Sequence, residues 1–200
     1  VVNNAGTIRG NGTYDGFDFP PDAGIGIAQG GSSVVNTGTI SGAGAGITTA
    51  YFFNSDTQAL EGRAIGVTVE NSGSIIGDSN DGVRLIGGGT VTNSGLIAGR
   101  VGEFADGVSM FAFGGQDTSG QASIRGNVGS VLIQSGGDGK SADLTNSGTL
   151  AGGVLLSSDS NRLVNTGTIT SETGPAVETF GATSLDNAGT ISGTGPVAVQ

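Results

Sequence analysis

The sequence predicts an all-β chain folded as a parallel β-solenoid, and three observations carry that expectation. First, one phrase recurs along the chain. It is "VVNTGTISG" from Val34 to Gly42, and it returns as "VVNNAGTIRG", "VENSGSIIG", "VTNSGLIAG", "LTNSGTLAG", "LVNTGTITS" and "LDNAGTISG". Second, apolar and polar residues alternate at period two inside each phrase, which is the signature of a strand. Third, Gly supplies 41 of 200 residues, far above the usual share of roughly 7%. So much Gly, among β-branched residues and without an i, i+3, i+4 stripe, argues against helix.

The phrase resolves into columns. Its Asn positions are Asn4, Asn36, Asn71, Asn93, Asn146, Asn165 and Asn187. Two residues earlier stands an aliphatic residue every time: Val2, Val34, Val69, Val91, Leu144, Leu163, Leu185. Two residues later stands Gly every time: Gly6, Gly38, Gly73, Gly95, Gly148, Gly167, Gly189. Four residues later comes Ile8, Ile40, Ile75, Ile97, Leu150, Ile169 or Ile191. A worn eighth copy fits "GQASIRG", with Gly120 in the Asn column and Ile124 in the Ile column. Counted with it, the spacings are 32, 35, 22, 27, 26, 19 and 22 residues. The unit is therefore 19–22 residues, and longer units carry insertions.

Each unit holds a second apolar strand, as in "DGVRL", "DGVSMF", "GGVLL" or "GPAV", and a short third strand leads into the next Asn. Two or three short strands per unit make one coil of a solenoid, each strand pairing in parallel with its copy roughly 4.8 Å away. About eight coils are expected, in a rod of roughly 40 Å. Val and Ile columns fill the interior, which one coil alone cannot bury. Asn belongs at a corner, where its amides can form a ladder along the rod. The Gly after it supplies either positive φ or close approach. Ser or Thr at the third position after Asn, with Leu96 once, points outward as a polar column. A flexible linker would not hold two aliphatic columns without exception, and a β-sandwich would not repeat one motif at so short a spacing.

Composition excludes several functions. The 7 basic and 17 acidic residues give a net charge of −10, and the cations are scattered singly. Binding to nucleic acid, which needs clustered Lys and Arg, is not expected, nor is binding to anionic membranes. There is no Cys and no His, so disulfides, thiolate metal sites and a Ser-His-Asp triad are all ruled out. No apolar run reaches the 18 residues a membrane helix needs. No signal peptide stands at Val1. The chain opens and closes inside repeat material and reads as one segment, residues 1–200, of something longer.

The V-x-N-[ST]-G-[ST]-I-x-G phrase, the Gly-Val second strand and the turn "LSSDSNRLVN" resemble the passenger domains of bacterial autotransporters. The resemblance implies a right-handed β-helix, secretion and display at the bacterial surface. It also implies an outer-membrane association through a C-terminal region outside this segment.

The insertions, near residues 11–22, 49–63 and 111–121, are where a solenoid displays function. They gather the aromatics: Tyr14, Phe17 and Phe19 in the first, Tyr51, Phe52 and Phe53 in the second, and Phe104, Phe111 and Phe113 in or beside the third. The first six are candidate contacts to a surface protein or glycan; equally, such loops can fold their Phe residues onto the coil. Asp81 and Asp106 precede Gly-Val in neighbouring coils and could form a glycosidase-like carboxylate pair, although Asp before Gly is also a common turn former. Asp78, Asn80 and Asp81 in "GDSNDG" offer oxygen ligands to calcium, as faintly does "SGGDGKSAD", but neither has a full calcium-loop pattern. "GGDGKS" lacks the first Gly of a phosphate loop, its place being taken by Gln134. The expectation is a non-enzymatic rod without cofactor or metal, adhering through its insertions. The alternatives are a stalk or filament that self-associates end to end and, further off, a polysaccharide-processing enzyme.

Overall fold

The computed structural model describes residues 1–11, 23–49, 51–54, 59–62, 66–78, 81–99, 131–134, 141–172, 174–194 and 198–199. These residues form strands and turns, with parallel pairing everywhere except one hairpin. Among them no helix is long and apolar enough to cross a membrane. The fold is the parallel β-solenoid that the repeated phrase predicts.

Each coil has three faces. The first carries the residues that lead into Asn: Val2–Asn4, Ser33–Asn36, Val67–Asn71, Gly89–Asn93 and Ser141–Asn146, then the C-terminal halves of Val154–Asn165 and Val177–Asn187. The second carries those that follow Gly: Thr7–Gly10, Thr39–Gly42, Ser74–Gly77, Leu96–Gly99, Thr149–Ala151, Thr168–Ser171 and Thr190–Gly193, paired in that order as a 7-stranded sheet. The third carries Ile25–Ile27, Ile47–Thr49, Val83–Ile86 and Val131–Gln134, the N-terminal halves of the two long strands, and Ala198–Val199. Val154–Asn165 and Val177–Asn187 run round the corner from third face to first. They join those two faces into one 12-stranded sheet, with a register shift between Ser157 and Ser160.

Apart from that shift, stacking is in register. Val2 pairs with Val34 and Asn4 with Asn36; Ile40 pairs with Ile75, which pairs with Ile97. The repeat columns thus become physical columns. Val34, Val69, Val91, Leu144 and Leu163 line the interior from the first face, and Ile40, Ile75, Ile97, Leu150 and Ile169 from the second. Ile47, Val83, Leu85, Val154, Leu156 and Val177 close the core from the third. Burying each such side chain contributes about 1.5–3 kcal/mol, and each column is complete only when the next coil covers it. The Ser/Thr column lies in register along the second face, outside the core.

The eighth copy is a correction. Asn93 pairs directly with Asn146, and Leu96 with Thr149. No coil built on Gly120 fits between them. The described solenoid has seven coils, at roughly 4.8 Å each about 34 Å of rod. Gly120 and Ile124 fall in residues 100–130, which stand in sequence between Gly99 of the second face and Val131 of the third and lie outside the described residues. The spurious copy needed only an Ile between glycines, a pattern that arises readily in so Gly-rich a chain.

Candidate binding surface beside the third face

The corner between first and second face is constant. Two residues separate the strands there in all seven coils, as Ala5–Gly6 does between Val2–Asn4 and Thr7–Gly10. The Asn side chain holds that corner from both sides. In the third coil, Asn71 Nδ2 donates to Asn93 Oδ1 at 2.8 Å, to Gly73 O at 3.2 Å and to Leu96 O at 3.0 Å. Its backbone carbonyl accepts from Ser94 N at 2.8 Å and Gly95 N at 3.3 Å. The amide-to-amide contact repeats along the rod at 2.7–2.9 Å from Asn4 to Asn187. Asn36, Asn71, Asn93, Asn146 and Asn165 are buried, so these bonds are shielded from water.

The Gly after Asn is there for close approach. The glycines with positive φ are others, among them Gly31, Gly66, Gly87, Gly88, Gly152, Gly153 and Gly181. A Cβ on Gly38 would lie 2.1 Å from Gly6 O, and one on Gly95 would lie 2.2 Å from Gly73 O. A side chain there would push the coils apart. Positive φ is used instead at corners whose length varies.

All variation in length falls on the other two corners, which border the third face. Between second and third face the link is residues 11–24 in the first coil, 43–46 in the second, 100–130 in the fourth and only 152–153 in the fifth. Between third and first face it is residues 50–66 in the second coil but only 87–88 in the third. The insertions near 11–22 and 111–121 therefore leave from one edge of this face, and 49–63 from the other.

Part of the insertion at 49–63 is an antiparallel hairpin, Tyr51–Asn54 with Ala59–Gly62, which pairs Tyr51 with Gly62 and Phe53 with Leu60. It places Tyr51, Phe52 and Phe53 together on one strand. Its root is fixed by Thr49. Pairing between Ile47–Thr49 and Val83–Ile86 stops at Thr48 and Arg84. Beyond that point Ile86 N donates to Thr49 Oγ1 at 2.7 Å, and Thr49 Oγ1 donates to Ile86 O at 3.3 Å. A side-chain hydroxyl takes over where the ladder ends and the chain departs. Tyr14, Phe17, Phe19, Phe104, Phe111 and Phe113 lie outside the described residues.

Two outward positions of the third face are also buried. Thr48 and Leu155 occupy its outward column, yet both are 0% exposed. On the first face the outward Glu70 and Thr92 remain exposed. Arg84 stands in the same column as Thr48. Its Nε donates to Asp81 Oδ2 at 2.7 Å, with side-chain exposures of 11% and 3%. Burial pushes the Asp81 carboxyl above its ordinary value, and the Arg84 charge and hydrogen bond oppose the shift. Sequence reasoning missed this pair. Its signal was a cation two residues beyond an Asp-Gly corner, which a search for paired acids passes over.

The other candidates separate. Asp106 lies outside the described residues, and Asp81 faces a guanidinium. Asp78 is exposed and Asn80 lies outside the described residues. Among the described residues no three acidic, His or Cys side chains gather where they could hold a metal ion. A second buried amide was also missed: Asn161 reaches across the corner of the long strands, donating to Phe180 O at 2.6 Å and to Ser158 O at 3.2 Å. No protein-family model matches the chain, and no curated protein or solved structure matches it either.

Proposed function

We propose that the chain is a non-enzymatic, extracellular passenger on a bacterial surface, a rigid rod that adheres to a surface protein or glycan through its insertions. One observation carries the reading. The Asn-Gly corner has one length in seven coils, whereas every long excursion leaves from the two corners beside the third face. A scaffold that holds one corner constant and varies the others presents its variable chain on one flank. Loops so held on a rigid frame are where binding residues concentrate. The bacterial surface follows from the resemblance of the repeated phrase to autotransporter passengers. The Asp81–Arg84 pair favours binding over catalysis, because it ties up a carboxylate that a glycosidase would need free.

The test removes the hairpin. Residues 51–66 are replaced by Gly-Gly, the two-residue link that closes the same corner one coil later. Purified chain is applied to bacterial and host-cell surfaces and to arrayed glycans. Loss of binding at an unchanged thermal midpoint is the expected result. Binding that survives excision of all three insertions, this hairpin with residues 12–22 and 101–130, would overturn the proposal.

A further inference from the structure

The second face carries a surface that the scaffold does not require. Each of its strands turns two side chains outward, the third and fifth after Asn. Most are Ser or Thr, such as Thr39, Ser41, Thr168 and Thr170. The apolar exceptions gather on the third, fourth and fifth coils: Ile76, Leu96, Ala98 and Ala151, all half-buried. They are neighbours in register. Ile76 pairs with Ala98 and Ala98 with Ala151, while Leu96 stands between Ser74 and Thr149. Leu96 is the informative one. Ser or Thr takes its place in the other six coils, and Ile97 beside it already fills the core.

Charge sets the same face apart. Its seven strands hold no carboxylate, and their one charge is Arg9. The residue after each ladder Asn, from Ala5 to Ala188, is uncharged and exposed. The acids lie elsewhere, with Glu70, Asp143 and Asp186 on the first face and Asp78 and Glu172 past the second. At a net charge of −10, two copies repel along those flanks and can meet without repulsion along this one. An apolar centre ringed by hydroxyls, with charge kept out, has the anatomy of a protein interface. With its corner the strip is six residues wide and seven coils tall, roughly 20 Å by 34 Å. That is roughly 700 Å² on each copy, close to the ~800 Å² per partner of a standard interface.

We propose that the second face binds the second face of another copy, with the two rods antiparallel. A two-fold axis then crosses the fourth coil. Leu96 and Ala98 meet their own counterparts, and Ile76 of each copy lies on Ala151 of the other, a large side chain against a small one. Arg9 comes opposite Ser192 of the second copy, whereas parallel rods would bring both Arg9 side chains to one end. The contact is isologous, so it closes as a dimer. It uses the second face and not the insertions, so it stands or falls separately from adhesion.

Sedimentation equilibrium over a hundredfold range of concentration tests it on the 200-residue chain. Leu96→Ser gives the fourth coil the kind of residue that the other six carry, and Ala98→Asp sets two carboxylates at the axis. Thr92→Asp adds the same charge on the exposed first face of that coil. Circular dichroism verifies that each variant folds. The unsubstituted chain and Thr92→Asp are expected to form the same dimer. Leu96→Ser is expected to raise the dissociation constant at least tenfold, and Ala98→Asp to raise it further. Orientation is read with single cysteines, since the chain has none of its own. Ala98→Cys is expected to link two copies under mild oxidant, and Arg9→Cys to leave them unlinked. A chain that is monomeric throughout, or that grows beyond a dimer, would overturn the proposal. So would a dimer that tolerates Leu96→Ser and Ala98→Asp, or linking at Arg9→Cys as complete as at Ala98→Cys.

Discussion

Asn93 and Asn146 lie 53 residues apart in sequence and one coil apart in space, and Asn93 Nδ2 donates to Asn146 Oδ1 at 2.9 Å. The stack closes in register on both sides of residues 100–130, from Leu96–Gly99 on the second face to Val131–Gln134 on the third. This contact fixes the number of coils, separates scaffold from excursion and sets the energetic role of the ladder.

Breaking the ladder in its interior should be costly. Asn93→Leu leaves Asn71 Nδ2 without its amide acceptor and Asn146 Oδ1 without its donor, both buried. Each unsatisfied buried polar group costs about 1–3 kcal/mol. Equilibrium unfolding in guanidinium is expected to show a loss of about 2–5 kcal/mol. Asn187→Leu, at an exposed position, leaves only Asn165 Nδ2 without its amide acceptor and is expected to lose about half as much. Equal losses would mean that the amides act only as corner formers.

The corner glycines offer a matched pair. Gly95→Ala would place Cβ 2.2 Å from Gly73 O, a backbone atom that cannot swing aside, while Gly6→Ala meets nothing within 4 Å. The first is expected to cost about 3 kcal/mol as overpacking does, and the second to stay within about 0.5 kcal/mol. Thermal midpoints of the two variants compare them directly.

Removing residues 101–130 should spare the fold. Closing Arg100 directly onto Val131 leaves a two-residue link as long as Gly152–Gly153 one coil on, because Ala98 pairs with Ala151 and Val131 with Val154. The shortened chain is expected to keep its strand signal in circular dichroism and a midpoint within a few degrees of the parent. Loss of a coil's worth of strand would restore the eighth copy.

The Asp81–Arg84 pair should leave a mark on the pH dependence of stability. Burial raises the folded Asp81 carboxyl above its ordinary value, against the opposing Arg84 charge, so between the unfolded and folded pKa the folded chain binds a proton the unfolded chain has released. The contribution of this group is full below the unfolded pKa and is lost as pH rises through the folded one. Arg84→Met removes the charge that opposes the shift and should move that loss to higher pH. Thermal midpoints from pH 3 to pH 8, roughly the range where carboxyls titrate, are expected to show the displacement. Superimposable profiles would show that Arg84 does not act on Asp81.

What the sequence made legible was whatever repeats. The Asn, Gly and Ile columns share one offset in seven phrases, so periodicity alone placed the core residues, the ladder and the parallel register. It could not choose between positive φ and close approach for Gly38 or Gly95, because that depends on the coil next to it. The candidate site lies where repetition stops. Tyr51 and Phe53 were visible as aromatics in an insertion, but their hairpin pairing with Gly62 and Leu60 follows no period in the chain. Asp81 looked like a surface turn former, since nothing local announces that Arg84 folds back onto it in a buried corner. Gly120 misled for the opposite reason: in a Gly-rich chain, the phrase can be matched without its Asn.

The most direct test is a disulfide between Thr92→Cys and Thr145→Cys. These residues are register partners on the outward side of the first face, and the chain has no cysteine of its own to compete. Neighbouring parallel strands place Cα atoms roughly 4.8 Å apart, inside the range a disulfide spans. Rapid and complete cross-linking under mild oxidant is the expected result. Failure to cross-link, as a coil wedged between them at about 9.6 Å would require, would contradict the seven-coil stack and the reading of residues 100–130 as an excursion from it.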